Sequence, residues 1–306
     1  MYDLIIVGSG PAGISASIYA KRANLNAVVI EREYLGTGQI AESGRVDNYP
    51  GLLGISGYDL GEKLREHASS LGAVFETGNV DKIDIIEQNS NRRQSFRLTC
   101  EDGQIYEALS VIYAAGASAR KGNISGEEKF AGKGVSYCAL CDGAFYKGKR
   151  VAVLGGGDTA LDDALYLSDL CERVYLIHRR KEFRGNNSTL LKLQKRDNVS
   201  FFLEEEVSVI NGQEKVEKIC LKSGKDVEVE GIFIAFGSSP NSKIIEKLVE
   251  TDENGYIIAD ENGITSLPGF FVAGDVRTKE VRQVVTAVSD GANAATSSYK
   301  YISSVK

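Results

Sequence analysis

Two cysteines separated by two residues, with an aspartate directly after the second, are the residues of this chain that most directly suggest chemistry. They are Cys138, Cys141 and Asp142, in the stretch SYCALCDGAFY. A pair with this spacing can hold half of a zinc site, close a short structural disulfide, or form a disulfide that opens and closes during catalysis. The stretch itself does not distinguish these roles, so the distinction has to come from the rest of the chain.

A zinc site is weakly supported by the sequence. It requires about four ligands, usually two such pairs or one pair with histidines. The remaining cysteines and histidines are isolated along the chain: Cys100, Cys171, Cys220, His67 and His178. We therefore expect no metal. A disulfide that closes so short a loop would restrict the unfolded chain very little, so a purely structural role is also a weak explanation.

Composition narrows the class of protein. The 306 residues contain 36 Lys+Arg and 42 Asp+Glu, and the net charge of −6 argues against a protein that coats nucleic acid. The apolar runs, such as LIIV and IFIAF, are far shorter than the ~20 residues of a membrane-spanning helix and suit buried strands. The chain enters an apparent strand without a signal peptide, and five cysteines suit a reducing compartment. We expect a cytoplasmic protein that binds neither nucleic acid nor membrane.

The elements that must position the cysteine pair are indicated by two glycine fingerprints. In the first, an apolar strand over residues 4–7 leads into Gly8, Gly10 and Gly13, a helix of small residues follows, and a second apolar run ends at Glu31. The glycines permit a tight turn, close approach of the backbone to a pyrophosphate, and helix–strand packing. The carboxylate can accept hydrogen bonds from ribose hydroxyls. This pattern predicts a Rossmann-like dinucleotide-binding fold.

The same pattern returns in VAVLGGGDTALDDALYLSDLCERVYLIHRRKEFR. The turn residues of this second fingerprint are Gly155, Gly157, Asp158, Thr159 and Ala160. At the offset where the first copy has its acid, 23 positions after the first glycine, the second copy begins a basic run: His178, Arg179, Arg180 and then Arg184. Guanidinium groups can bind a 2′-phosphate that a carboxylate would repel, so the second site should prefer NADP to NAD. The alternative is an exposed basic loop before a helix.

These motifs, taken in order, resemble those of the low-molecular-weight bacterial thioredoxin reductases across essentially the whole chain. The matching stretches are GSGPAG, TGQIAESGRVDNYPG, AAGASAR, C-x-x-C-D-G, GGGDTA with HRRKEFR, and GDV followed by RQ. The resemblance implies an α/β fold of two Rossmann-like (three-layer ββα) dinucleotide-binding domains, with the NADP domain inserted into a discontinuous FAD domain. We place the FAD-binding domain at 1–114 and 245–306, and the NADP-binding domain, which carries the CxxC, at 115–244.

The resemblance also assigns roles to residues. FAD would be contacted by the first fingerprint, by Asp275 near its ribityl and pyrophosphate portion, and by further matching positions: Gln39, Asn48, Gly116, Arg282, Gln283 and Val284. Cys141 would lie against the isoalloxazine as the charge-transfer thiolate, and Cys138 would be the thiol that attacks the partner. Asp142 would move a proton during exchange, although aspartate before glycine is also common in turns. Asp275 has the alternative role of a helix N-cap.

The function implied by the resemblance is a thioredoxin-disulfide reductase. Electrons would pass from NADPH through FAD to the Cys138–Cys141 pair and on to oxidised thioredoxin, in a homodimer. Two alternatives stay open: the same fold with a different donor such as ferredoxin, and a flavin-binding redox sensor without turnover. Two stretches, RKGNISGEEKF and RGNNSTL, depart from the usual pattern of the family, and the second could weaken pyridine-nucleotide binding.

Overall fold

The chain divides into two compact units. The computed structural model describes residues 1–33, 36–88 and 93–306. Unit 1 comprises Met1–Ser118 and Ser239–Lys306, and unit 2 comprises Ala119–Ser238. Unit 2 is therefore an insertion in the chain of unit 1. The chain passes between the units at two short segments that pair as a two-stranded sheet.

Strands, six α-helices and two short 3-10 helices, Gln39–Glu42 and Gly143–Tyr146, make up the secondary structure of these ranges. The strands are β1 (Tyr2–Val7), β2 (Ala27–Glu31), β3 (Val74–Thr77), β4 (Val80–Gln88), β5 (Arg93–Cys100), β6 (Ile105–Tyr113), β7 (Ala117–Ala119), β8 (Val135–Ser136), β9 (Arg150–Leu154), β10 (Arg173–His178), β11 (Val199–Leu203), β12 (Val207–Asn211), β13 (Lys218–Leu221), β14 (Asp226–Glu228), β15 (Gly231–Ile234), β16 (Ser238–Pro240) and β17 (Phe270–Val272). The helices are α1 (Pro11–Arg22), α2 (Gly57–Ser70), α3 (Ala139–Asp142), α4 (Asp158–Ser168), α5 (Asn187–Leu193) and α6 (Val284–Val305).

Unit 1 is built on one sheet with the strand order β3-β2-β1-β6-β5-β4, and β17 pairs with the second half of β6. The β3-β2-β1-β6 part is parallel, whereas β4, β5 and β6 are antiparallel. Val7 lies opposite both Ile30 and Tyr113. Because parallel strands end at the same edge, the first glycine turn, Glu31 and the segment after β17 all lie at that edge.

Two apolar layers cover the faces of the unit 1 sheet. Leu4, Ile5 and Ile6 are successive residues and all are 0% exposed, as expected for a strand buried on both faces. Leu4 and Ile6 pack with α1 and α6, and Ile5 packs with residues of β5, β6 and β17. Replacement of Leu4 by alanine would cost about 2–5 kcal/mol of unfolding free energy.

Unit 2 has three layers. The central parallel sheet has the order β11-β10-β9-β15-β8, so β11-β10-β9-β15 repeats the arrangement of β3-β2-β1-β6 in unit 1. Apolar residues of α4 cover one face, and the antiparallel sheet β12-β13-β14 covers the other. The second glycine turn follows β9, and His178 ends the neighbouring β10. Over the described ranges of both units, no helix has the length and apolarity needed to cross a membrane.

Candidate redox centre and nucleotide sites

Cys138 and Cys141 are joined by a disulfide at the start of α3, with their Cα atoms 5.3 Å apart. Both cysteines are partly exposed, and Leu140 between them is 60% exposed. Ala139 is buried and anchors the turn in the unit 2 core. The sulfur pair therefore lies where a second sulfur compound can approach it.

The two sulfur atoms have different surroundings. Cys138 is the N-cap of α3, and its Sγ accepts a hydrogen bond of 3.2 Å from the backbone N–H of Cys141. An N–H directed at sulfur stabilises the thiolate form after reduction. This geometry supports Cys138 as the attacking thiol, a role that the sequence indicated only by resemblance. The division of roles between Cys138 and Cys141 stays a prediction.

Asp142 is a largely buried carboxyl next to the disulfide. Burial raises its pKa, and a hydrogen bond from Ser136 lowers it in part. Ser136 Oγ donates to Asp142 Oδ2 at 2.7 Å, and the same Oγ accepts from the Cys138 N–H at 3.1 Å. A carboxyl whose pKa is raised towards neutrality is suited to exchange a proton with a neighbouring thiol. Nothing in the local sequence pattern marks Ser136 as part of this site.

The first departure from the family pattern, RKGNISGEEKF, supports the segment before the disulfide. Glu127 is 2% exposed, and its carboxylate accepts hydrogen bonds from the N–H groups of Gly122 and Ile124, each at 3.0 Å. Tyr137, directly before Cys138, donates its hydroxyl to the same carboxylate at 2.7 Å. The buried acid is thus fully paired and fixes the backbone on which Cys138 lies.

The second glycine turn has the shape of a phosphate-binding loop. Gly155 has φ +149°, and a Cβ there would lie 2.6 Å from Ala235 O and 2.8 Å from Ala160 Cβ, so both positions require small residues. A Cβ on Gly157 would meet nothing within 4 Å. Gly157 is the N-cap of α4 and has no side-chain cap, while Asp158 and Thr159 are exposed in the first turn. The open helix start fits a pyrophosphate.

His178 is buried behind this turn rather than displayed on the surface. Its ring is 6% exposed, stacks on Phe183 with centroids 5.2 Å apart, and has Nε2 3.1 Å from Glu182 O. A Cβ on Gly156 would collide with the ring at 2.2 Å. Burial lowers the pKa of His178 and so favours the neutral ring. The contact between His178 and the nucleotide stays a prediction. In the structure the His178 ring supports the second glycine turn by packing against Gly156.

Three exposed arginines surround that histidine. Arg179, Arg180 and Arg184 each lower the pKa of His178 by their charge, which places them near it. Within the parts of the chain that the structure describes, none of them forms an ion pair with a carboxylate. The backbone N–H of Arg184 donates to Gly156 O at 2.8 Å, which attaches the basic run to the glycine turn. Unpaired guanidinium groups beside an open helix start fit a nucleotide phosphate.

The second departure, RGNNSTL, contributes to the same loop. A Cβ on Gly185 would lie 2.7 Å from Gly157 C and 2.8 Å from Asp158 N, so only glycine allows this approach. The N–H of Asn186 donates to Asp158 Oδ1 at 2.7 Å, and the Asn186 side chain caps α5. Gly185 and Asn186, which belong to the departing stretch, therefore attach the basic run to the start of α4.

The first glycine turn, in unit 1, is arranged in the same way. Gly8 has φ +97°, and a Cβ there would lie 2.6 Å from Ala114 O. A Cβ on Gly13 would lie 1.9 Å from Gly8 O, and Gly10 is the N-cap of α1 without a side-chain cap. Glu31 Oε2 accepts from both the N–H and the hydroxyl of Ser9, at 2.7 and 2.9 Å. Glu31 and His178 thus contact equivalent residues of the two turns.

Two buried polar atoms after β17 lack partners in the described residues: Asp275 Oδ1 and Arg282 Nε. Burial raises the pKa of Asp275, and the charges of Lys279 and Arg282 oppose this. Asp275 caps no helix, because α6 begins at Val284 and Gln283 is its N-cap. A buried acceptor and a buried donor without partners indicate a site for a ligand that carries hydroxyl or imide groups, as a flavin nucleotide does.

Other predicted flavin contacts are partly brought together. Asn48 Nδ2 donates to Gln283 Oε1 at 2.8 Å, although the two residues are far apart in sequence. Gln39 Nε2 donates to Ala117 O. Gly116 has φ +68°, and its carbonyl accepts from Asn241 N at 3.0 Å. All of these contacts are made within unit 1. The assignment of each residue to FAD stays a prediction.

Comparison with known proteins gives the family. A family model described as pyridine nucleotide-disulphide oxidoreductase matches residues 2–291. The chain belongs to this family. The thioredoxin reductase of Mycoplasma genitalium is 42% identical over 300 residues, which cover 96% of this chain and 93% of that protein. The thioredoxin reductase of Listeria innocua is 39% identical over 312 residues, which cover 100% of this chain and 95% of that protein.

Solved structures agree with this membership. The crystal structure of thioredoxin reductase from Streptococcus pyogenes matches with a TM-score of 0.92 at 38% identity, covering 99% of both chains. Thioredoxin reductase from Giardia duodenalis matches with a TM-score of 0.89 at 32% identity, covering 99% of both chains. The predicted resemblance and the α/β fold with two dinucleotide-binding domains are confirmed. Membership of the family implies a flavin and a pyridine nucleotide as cofactors.

Proposed function

We propose that this protein is a thioredoxin-disulfide reductase that uses FAD and NADPH. The observation that carries the proposal is the partly exposed Cys138–Cys141 disulfide, with the partly buried Asp142 beside it, on a unit that also has a phosphate-binding turn. Relatives named thioredoxin reductase support thioredoxin as the acceptor. Bound FAD would supply the electron pair that opens the disulfide, with NADPH as the donor.

Unit 1 is the proposed site of FAD. The open start of α1 at Gly10 would hold the pyrophosphate, and Glu31 would accept from a ribose hydroxyl. Asp275 and Arg282 would give their unpaired atoms to the ligand. The remaining proposed contacts are Gly8, Gly13, Gln39, Asn48, Gly116, Gln283 and Val284.

Unit 2 is the proposed site of NADPH. The open turn at Gly157 and the first turn of α4 would hold the pyrophosphate. Arg179, Arg180 and Arg184 would bind the 2′-phosphate, because they are exposed, their charges act on His178 beside the turn, and they have no carboxylate partners in the described ranges. A carboxylate at this position would repel that phosphate. This arrangement favours NADPH over NADH.

The reduced cysteines would transfer two electrons to the partner by thiol–disulfide exchange. Cys138 gives its thiol proton to Asp142, and its thiolate attacks one sulfur of the partner disulfide. The partner S–S bond breaks, one sulfur stays bonded to Cys138, and the other leaves as a thiolate that takes up the proton held by Asp142. Cys141 then gives up its thiol proton and attacks the Cys138 sulfur, so the internal disulfide forms again. The second partner sulfur leaves as a thiolate and takes up the proton released by Cys141, and the partner leaves with two thiols.

The proposal is tested by following NADPH oxidation in the presence of oxidised thioredoxin. Cys138→Ser should abolish thioredoxin reduction while FAD stays bound, and Cys220→Ser, a partly exposed cysteine elsewhere in unit 2, should preserve both. Turnover with reduced ferredoxin but not with NADPH would overturn the proposed donor. Absence of turnover with either donor would favour a flavin-binding sensor.

Two further properties are proposed from the resemblance and the cysteine content. A homodimer is proposed because the chain resembles the bacterial thioredoxin reductases over its whole length, and sedimentation equilibrium tests it. A cytoplasmic location stays a prediction from cysteine usage. Fractionation of cells that express the protein at its natural level measures it directly.

A further inference from the structure

The hydroxyl of Ser136 has three polar neighbours in the redox centre. It lies at the end of β8, is 5% exposed, and belongs to a strand that pairs with β15 in the central sheet. Oγ is 2.7 Å from Asp142 Oδ2, 3.1 Å from the Cys138 nitrogen and 3.3 Å from the Cys138 carbonyl oxygen. A rigid strand therefore holds one hydroxyl between the proposed proton carrier and the backbone of the proposed nucleophile.

A serine hydroxyl has one hydrogen to donate and two lone pairs to accept with, and the hydrogen rotates to suit its neighbours. When Asp142 is a carboxylate, the hydroxyl donates to it and accepts from the Cys138 N–H. When Asp142 carries a proton, the acid can donate to Oγ and the hydroxyl can turn to the Cys138 carbonyl oxygen. Neither state leaves a buried polar group unpaired, which otherwise costs about 1–3 kcal/mol.

We propose that Ser136 is a positioning residue that lets Asp142 take up and release a proton during thiol–disulfide exchange, by exchanging its donated hydrogen bond between Asp142 and the Cys138 carbonyl. The inference rests on the proposed function. In the exchange, the proton that leaves the Cys138 thiol is the one that Asp142 accepts. Ser136 itself forms and breaks no covalent bond.

The other titratable groups near this turn do not substitute for Ser136. Tyr146 follows in the next turn, and burial together with the Asp142 charge raises its pKa to about 12, so it stays protonated. On the neighbouring α4, Tyr166 faces Gly143, and Asp163 lies one turn earlier on the same side of the helix. Burial and the charge of Asp162 raise the pKa of Asp163 to about 7. The Asp142 side chain accepts its hydrogen bond from Ser136 Oγ at 2.7 Å.

The test measures the reaction of the reduced cysteines as a function of pH. FAD-loaded protein is reduced with a phosphine, freed of reductant, and mixed by stopped flow with an aromatic disulfide whose leaving thiolate needs no proton. Ser136→Ala removes a hydrogen bond that favours the carboxylate, so the acid limb of the rate should move to higher pH. On the acid side of the profile, Ser136→Ala should react about tenfold more slowly than the wild type, because a tenfold change in rate corresponds to the loss of about one charge-assisted hydrogen bond.

Three controls separate positioning from a general structural effect. Ser168→Ala removes a buried hydroxyl of unit 2 that donates to the Leu165 carbonyl, and its profile should match the wild type. Ser136→Thr keeps the hydroxyl, and its acid limb should lie at the pH of the wild type. Ser136→Val has the shape of the threonine variant without the hydroxyl, and its acid limb should move to higher pH. The Thr and Val pair also serves as the test if Ser136→Ala fails to fold. In an Asp142→Asn background, Ser136→Ala should change nothing further.

The inference is overturned if Ser136→Ala leaves the acid limb at the pH of the wild type, or slows the reaction equally at every pH. Neither result depends on NADPH or thioredoxin. Lack of thioredoxin turnover by the wild type would instead refute the proposed function, while this assay would still report on Ser136.

Discussion

Arg277 donates hydrogen bonds to both carboxylate oxygens of Asp290, with Nε 2.9 Å from Oδ2 and Nη2 2.8 Å from Oδ1. Both side chains are 5% exposed. Lys279 Nζ and the Gly274 N–H also donate to Asp290 Oδ2, at 2.8 and 3.0 Å. Asp290 thus binds α6 to the turn that carries Asp275, which is the proposed flavin contact.

Removal of this carboxylate should strongly destabilise unit 1. Asp290→Asn would remove the carboxylate that Arg277 and Lys279 share, and would leave Arg277 only the longer contact of 3.8 Å with the exposed Glu261. Loss of one partner of a buried pair costs about 3–5 kcal/mol. Urea denaturation measures the change in unfolding free energy. Glu107→Gln is the matched control, because its pair with Arg97 is half exposed and should contribute about 1 kcal/mol or less. Equal losses of unfolding free energy in Asp290→Asn and Glu107→Gln would contradict the role of Asp290 as a buried, stabilising ion-pair partner.

The same carboxylate should give unit 1 a specific acid sensitivity. Although burial raises the pKa of Asp290, the hydrogen bonds from Arg277 and Lys279 hold it below its ordinary value. A lowered pKa stabilises the fold above the unfolded value of about 3.9, and this contribution is lost as pH falls through the folded value. The stability difference between wild type and Asp290→Asn should therefore be constant near neutrality and shrink below about pH 4. A constant difference down to pH 2 would contradict this.

Local patterns predicted the elements around both cofactor turns. The apolar run at 4–7 forms the buried part of β1, and the run VAVL before Gly155 forms most of β9. The fingerprint glycines Gly8 and Gly155 have positive φ, so their positions follow from backbone conformation alone. Such features depend on neighbours in sequence, and single-sequence reasoning reaches them.

The missed residues depend on contacts that no local pattern encodes. Asp290 meets Gly274 only because α6 packs beside the turn, 16 positions away in sequence. Ser136 meets Asp142 only because α3 turns back on β8. His178 illustrates the converse, because its sequence position is equivalent to that of Glu31 but its ring is buried against Gly156. The offset places both side chains against their turns, but it does not predict that the His178 ring is buried.

Asp142→Asn should slow thioredoxin reduction by about 100-fold, the lower range for loss of a general acid–base group. The amide keeps the shape of the carboxyl and cannot carry the proton of the Cys138 thiol. Steady-state rates with thioredoxin measure the loss, and the flavin absorbance shows that FAD stays bound. Asp169→Asn, an exposed acid of unit 2 paired with Arg196, should keep full activity. Wild-type rates in Asp142→Asn would exclude Asp142 as proton carrier.

Arg179→Gln and Arg180→Gln should each lower kcat/KM for NADPH by about tenfold and leave the value for NADH unchanged. Each variant removes a charge-assisted hydrogen bond to the 2′-phosphate, which contributes about 1.5–3 kcal/mol. Arg196→Gln serves as the control, because this exposed arginine of unit 2 pairs with Asp169. Equal losses with both nucleotides would show that the arginines do not read the 2′-phosphate.

Asp275→Asn should weaken FAD binding without destabilising the protein that lacks FAD. Burial raises the pKa of Asp275 and its Oδ1 has no partner in the described residues, so the carboxylate contributes little to the fold by itself. Loss of a charged acceptor should raise the dissociation constant for FAD about 10- to 100-fold, measured by flavin fluorescence. Asp260→Asn should show the reverse, because Asp260 Oδ1 accepts from the N–H groups of Asn262 and Ile264, each at 3.0 Å. Loss of the Asp260 carboxylate should lower the stability of unit 1 and leave FAD affinity unchanged.

Wild-type FAD affinity in Asp275→Asn would remove Asp275 from the flavin site, and the unpaired Oδ1 of Asp275 would then need a different ligand.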